Sequence, residues 1–118
     1  MNYQLGVKGE QMAAEYLRNK GFKIKNTNWR FNHKEIDIIA EIDDFLVFVE
    51  VKSRSTDFFE NPQDAITKSK QRFILEAAEA YIMKHDINIE SRFDVIAIVQ
   101  HGKTYKIEHI PDAFNSLI

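Results

Sequence analysis

Apolar residues in the first part of the chain recur at helical spacing. Leu5, Met12, Ala13, Tyr16 and Leu17 fall on one stripe when residues 2–19 are wound as an α-helix, and Gly21 stands where helix C-caps favour glycine. Glu10 lies at the edge of that stripe, on the side of Leu17. Beyond Gly21 the pattern changes to that of strands. Residues 22–31, 35–42 and 45–53 read as β-strands, turned at Asn32-His33-Lys34 and at Asp43-Asp44. A loop carrying Asn61-Pro62 precedes a second amphipathic helix, over residues 62–84, with Ile66, Phe73, Ile74, Ala77, Tyr81 and Ile82 on one face. Residues 92–100 and 104–110 read as a hairpin about His101-Gly102-Lys103, and a short helix is expected from Pro111. The predicted order is αβββαββα. Its natural packing is an α/β fold: a single three-layer α/β/α domain over residues 1–118, with a central mixed β-sheet.

Composition narrows the chemistry. The chain has 118 residues and no cysteine, which excludes disulfides, thiolate nucleophiles and sulfur-ligated metals. No apolar run, Phe45 to Val49 among them, is long enough to span a bilayer, and residues 1–9 hold no apolar signal segment. A soluble cytoplasmic protein without a membrane partner is the expectation. The net charge of −2 argues against a protein whose main business is gripping nucleic acid, but the charges are segregated. From Tyr16 to Lys34 there is no acid, only Arg18, Lys20, Lys23, Lys25, Arg30 and Lys34 with His33. From Glu35 to Glu50 there is no base, and Lys68, Lys70 and Arg72 follow.

The candidate chemistry lies at the centre. Alternation puts Phe48, Glu50 and Lys52 on one face of the third strand, opposite Val47, Val49 and Val51. In the second strand Ile36, Ile38, Ala40 and Ile42 share one face, and Glu35, Asp37, Ile39 and Glu41 the other. A two-residue turn at Asp43-Asp44 makes residue 42 face 45, and so Asp37 face Glu50. Two carboxylates opposite each other repel, at a cost of a few tenths to about 1 kcal/mol. A divalent cation would offset that, since paired carboxylates are its usual ligands. The plain reading is a Glu50–Lys52 ion pair on an exposed sheet face. The functional one is a metal-plus-lysine site for phosphodiester hydrolysis, with Mg²⁺, or Mn²⁺ in its place, on Asp37 and Glu50, and Lys52 orienting water. Lys70 is expected to be buried, inside the apolar stripe of its helix. Arg30 and Arg54, with Lys34 and Lys68 from the basic blocks, are candidate phosphate contacts, against surface ion pairs. Arg92 and Asp94 read as structural. His33, His85, His101 and His109 show no zinc spacing and read as loop or surface residues.

Taken in order, these residues form a longer string. It runs Gly6-x-x-Gly9-Glu10, Asn28-x-Arg30, Glu35-Ile36-Asp37-Ile38-Ile39-Ala40 and Val47-Phe48-Val49-Glu50-Val51-Lys52-x-Arg54. Pro62-x-x-Ala65, Thr67-x-x-Lys70, Arg92-Phe93-Asp94-Val95 and His109-Ile110-x-x-Ala113-Phe114 follow. The string resembles the YraN-like family of uncharacterised bacterial proteins, of the restriction-endonuclease-like superfamily, related in fold to archaeal Holliday-junction resolvases. The resemblance implies a restriction-endonuclease-like core with catalytic Asp37, Glu50 and Lys52, completed by Lys70. It implies that Glu10 joins Asp37 and Glu50 at the metal, with the Val51 carbonyl as a further ligand. Lys34 and Glu60 depart from the pattern, standing where glycine is expected. The activity implied is that of a Mg²⁺-dependent endonuclease on DNA rather than RNA, branched or flapped DNA included. The alternatives are a non-catalytic nucleic-acid-binding accessory module and a protein-interaction domain. Cutting both strands of a junction needs two sites, so a homodimer belongs to the expectation.

Overall fold

Turns set the order of the sheet. The computed structural model describes residues 3–54 and 66–114, with backbone alone at 3–7 and 54. Strands β1 (Lys23–Phe31), β2 (Lys34–Ile42) and β3 (Phe45–Arg54) form an antiparallel meander. Its turns close at Phe31↔Lys34 and Ile42↔Phe45, with Asn32 (φ 58°) and Asp43 (φ 52°) in the left-handed region that Asn and Asp tolerate. Helix α2 (Lys68–Lys84) lies in the connection that brings β4 (Glu90–His101) parallel to β3, as a crossover requires. Strand β5 (Thr104–Phe114) returns antiparallel through a turn with Gly102 at φ 60°. The spatial order is β1-β2-β3-β4-β5 in one mixed sheet.

A helix covers each face. Helix α1 (Tyr3–Asn19) buries Ala13, Ala14 and Leu17 against Ile38, Val47, Val49, Ile96 and Ile98. It ends as expected: Gly21 takes φ 97°, its N–H donates to the Arg18 carbonyl, and the Phe22 N–H donates to that of Leu17. Helix α2 buries Ile74, Ala77, Ala78 and Tyr81 against Ile36, Ile39, Phe48 and Phe93. The architecture is α/β, in three layers. Among the described residues no helix is long and apolar enough to cross a membrane.

Four expectations are corrected. Helix α2 begins at Lys68, not at 62: Thr67 is its N-cap, with Oγ1 accepting the Lys70 N–H at 3.1 Å, and Ile66 lies outside it. The stripe is therefore set by residues 74, 77, 78 and 81, which leaves Phe73 44% exposed and Lys70 on the exposed flank, not buried. Pro111 does not start a helix. The β4–β5 register shifts between Phe93↔Phe114 and Val95↔Ile110, so the chain bulges opposite Asp94 and then rejoins the sheet. Asp112, at φ 54°, donates its N–H to Asp94 Oδ1 in that bulge, and Phe114 stacks on Phe93 at 5.2 Å. Finally, His109 is not a surface residue. It is half-buried, with Nε2 2.7 Å from Asp94 Oδ2 and Nδ1 3.3 Å from the Tyr16 hydroxyl.

Candidate active site

The site lies where the ladders of β2 fail. Paired residues run from Ile42↔Phe45 to Ile38↔Val49, the register expected from the turn. Asp37 lies beyond that run, and its Oδ2 accepts the Val51 N–H at 2.8 Å. On the other side, β1 and β2 pair at Thr27↔Ile38 and Trp29↔Ile36, passing over Asn28, which holds φ 50°, and Asp37. Strict alternation breaks here. Ile36 and Ile39 both pack in the α2 layer while Ile38 packs in the α1 layer, so Ile36 and Ile38 do not share a face as expected. The break frees the Asp37 carboxylate to face side chains from both layers.

From the α1 layer comes Glu10. Its helix lies close to β3 because residue 9 is glycine: a Cβ there would collide with the Ser53 hydroxyl and stand 3.3 Å from the Ser53 Cβ. Gly9→Ala is therefore expected to lower stability by about 1–3 kcal/mol through overpacking. A urea midpoint unchanged from the wild type would show that Ser53 simply turns away. Asn28 Nδ2 donates to both Glu10 oxygens at 3.2 and 3.1 Å and to Glu35 Oε1 at 2.7 Å. Glu10, Glu35 and Asp37 each present an oxygen within 4.8 Å of the others. Glu10 and Asp37 open onto a cleft of about 400 Å³, also lined by Gln11, Arg18, Thr27 and Asn28.

On the α2 side of the sheet stands Glu50 of β3, only 5% exposed. Lys70 Nζ is 3.2 Å from its Oε2, yet that oxygen receives no hydrogen bond, so the ammonium supplies charge from off the bonding direction. The electrostatics follow. Burial, then the facing Glu50, push the Asp37 carboxyl up to about 8, although the Val51 N–H works against them. Burial likewise raises Glu10, opposed by its Asn28 hydrogen bonds and reinforced by Asp37 and Glu35. Carboxylates are thus crowded together with little positive charge among them.

The remaining candidates are placed as follows. Lys52 is half-buried in β3, in register with Ala97 and, by alternation, on the Glu50 face. Arg30 is exposed, 4.0 Å from Glu35. Lys34 reaches α2, pairing with Glu76 at 2.8 Å, and Lys68 is exposed at the start of that helix. The Arg54 side chain and Glu60 lie outside the described residues. Arg92 and Asp94 are indeed structural, joined by two hydrogen bonds of 2.9 Å. Glu35 and Asn28 were not singled out for the site. Both stand in the motif string, and the signal that could have found them is their place beside Asp37 across the β1–β2 hairpin.

Comparison with known proteins agrees with the motif string. A family model described as "Uncharacterised protein family UPF0102" matches residues 9–98. The chain is 44% identical to the UPF0102 protein FP2501 of Flavobacterium psychrophilum over 93% of its own length and 92% of that protein's. A UPF0102 protein of Phocaeicola vulgatus is 41% identical over 94% and 92% of the two chains. One of Alkaliphilus oremlandii is 43% identical over 97% and 100%.

Proposed function

The chain belongs to the uncharacterised protein family UPF0102, and from that premise we propose that it is a Mg²⁺-dependent endonuclease that hydrolyses phosphodiester bonds in DNA. The observation that carries this reading is the crowding of Asp37 against Glu10, Glu35 and Glu50, with a buried Glu50 oxygen that receives no hydrogen bond. The donor set fits a hard divalent cation. It is all oxygen, and oxygens within 4.8 Å of one another can share one ion at 2.0–2.6 Å. Glu10, Glu35 and Asp37 meet that distance, Glu50 faces Asp37 from β3 and would complete the set, and Mn²⁺ would serve in place of Mg²⁺. When bound, the ion supplies charge to the phosphoryl oxygens and acidifies water.

The chain's own residues do the rest. Asn28 orients the Glu10 and Glu35 carboxylates through its amide. The Val51 N–H fixes Asp37. Lys52, on the Glu50 face, holds the attacking water and the charge that develops on the phosphate. Lys70 keeps the buried Glu50 carboxylate compensated between turnovers. Arg30 and Lys34, with Arg54 and Lys68, grip phosphates on either side of the acidic centre.

The test is cleavage of duplex, flap, four-way-junction and RNA substrates with Mg²⁺ or Mn²⁺, beside Lys52→Ala. Wild-type cleavage of DNA should fall at least about a hundredfold in that variant, the usual size of a lost transition-state contact. Cleavage that persists in Lys52→Ala would overturn the assigned chemistry. A second reading is an accessory module that binds nucleic acid without turnover. One observation favours it: Lys70 already gives Glu50 a charge partner. Binding without cleavage in either metal would establish that reading, and no binding at low salt would remove both.

A further inference from the structure

Phe73 is out of place on α2. The helix sends Ile74, Ala77, Ala78 and Tyr81 into the core and leaves this large ring 44% exposed. It follows Lys70 by three residues, so the two are neighbours on the helix surface, and Lys70 reaches Glu50 at 3.2 Å. On its other side the Lys34 ammonium stands 4.5 Å from the ring centroid. Lys34 is in register with Phe31, whose ring lies parallel to that of Trp29, 3° between their planes. An aromatic and cationic surface thus runs from the acidic centre to the β1 edge.

The charges beside it point the same way. Lys68, Lys70 and Arg72 occupy the start of α2, which has no acid in its first turn. The positive end of the helix dipole disfavours cations there. Among the described residues only Lys70 of the three has a carboxylate partner. An exposed ring between two cations, with Lys68 and Arg72 unpaired among the described residues further round the same helix end, is the composition of a single-strand groove, where bases stack and phosphates pair. A duplex, with its bases already stacked on each other, gains nothing from such a ring.

We propose that Phe73 is a stacking platform for an unpaired nucleobase, with Lys34, Lys68 and Arg72 holding the flanking phosphates, so that a single-stranded segment lies beside the acidic centre. This rests on the nucleic-acid reading above and specifies its substrate. Glu76, 2.8 Å from Lys34, is the competing partner, but an exposed ion pair is weak enough for a phosphate to displace.

The test is fluorescence anisotropy at low salt in chelator, with a short labelled DNA single strand and a blunt duplex of the same sequence. Phe73→Ala should weaken single-strand binding about tenfold, within the range for one lost stacked base, and leave duplex binding within about twofold. Phe73→Trp should keep single-strand affinity, and its added emission should be quenched when the strand binds. Equal losses on both nucleic acids, no loss on either, or a weak Phe73→Trp would each overturn the platform. A protein ligand in place of the base would appear as no loss on either. A wild type that binds neither strand nor duplex overturns the nucleic-acid reading itself, a different outcome from wild-type binding that Phe73→Ala leaves intact.

Discussion

Replacing Asp37 by Asn is expected to stabilise the metal-free protein while abolishing its response to divalent cations and its cleavage. The stabilisation follows from where the carboxyl sits. Burial and the facing Glu50 raise it from an ordinary 3.8 to about 8, so the folded chain holds a proton that the unfolded chain releases. The sign follows directly. The contribution of Asp37 is fully favourable below its unfolded value and is lost as pH rises through the folded one. Wild-type stability should therefore decline between about pH 4 and pH 8, and Asp37→Asn should lack that decline. Asn keeps an oxygen for the Val51 N–H. At pH 8 in chelator the variant should melt at least about 4 °C higher, roughly 1 kcal/mol for a chain of this size.

Mn²⁺ should reverse the ranking. A cation at a hundredfold excess over its dissociation constant stabilises the wild type by about 2.7 kcal/mol and the variant by nothing. Cleavage should fall by about three orders of magnitude or more. Melting curves with and without Mn²⁺ at pH 5 and pH 8 decide this. Equal Mn²⁺ shifts in the two proteins would remove Asp37 from the metal site.

The second large effect concerns stability alone. Asp94→Ala is expected to cost about 3 kcal/mol, because it leaves the half-buried Arg92 and His109 without the charge that compensates them. Asp94 is 1% exposed and accepts four hydrogen bonds: two from Arg92 at 2.9 Å, one with His109 at 2.7 Å and one from the Asp112 N–H at 3.0 Å. Burial pushes its carboxyl up, but His109, Arg92 and that N–H outweigh burial and hold it below the usual value. The stabilisation is thus present above about pH 4 and fades as pH falls through the lowered value, where wild type and variant should converge. Urea midpoints at pH 7 and pH 3 provide the check, with the m-value showing whether the transition stays two-state. A loss under about 1 kcal/mol at pH 7 would mean that β5 is held by its ladder and by the Phe93–Phe114 stack.

The residues that could be read in advance are those governed by local rules. Asp43, Asn32 and Gly102 sit in tight turns that suit them, and these turns with one crossover helix dictate the sheet order. The Ala13–Leu17 stripe and the Gly21 cap followed for the same reason. What could not be read depends on places where a rule breaks off. Alternation carried through Asp37 puts Ile36 and Ile38 together, because nothing in the sequence announces that the β1–β2 pairing passes over Asn28 and Asp37. For the same reason Glu35 joined Glu10 and Asp37 without being foreseen. Ile66 is buried but precedes the cap, so counting it as helical shifted the phase of α2 and drew Lys70 and Phe73 inward. His109 was legible: it continues the alternation of Tyr105 and Ile107 toward α1.

The irregular borders of the sheet have a consequence for assembly. The outer strand β1 carries a register shift between Ile24 and Asn26 and a left-handed Asn28. The outer strand β5 carries Pro111, which offers no N–H, within a two-residue shift around Asp94. β1 is interrupted along its length and β5 is regular only from Thr104 to Ile110, which shortens the row of donors and acceptors that another strand could copy. Strand addition is thereby disfavoured at both rims, so copies of this chain that meet in solution do so more readily through side chains, and fibre growth finds a poor template.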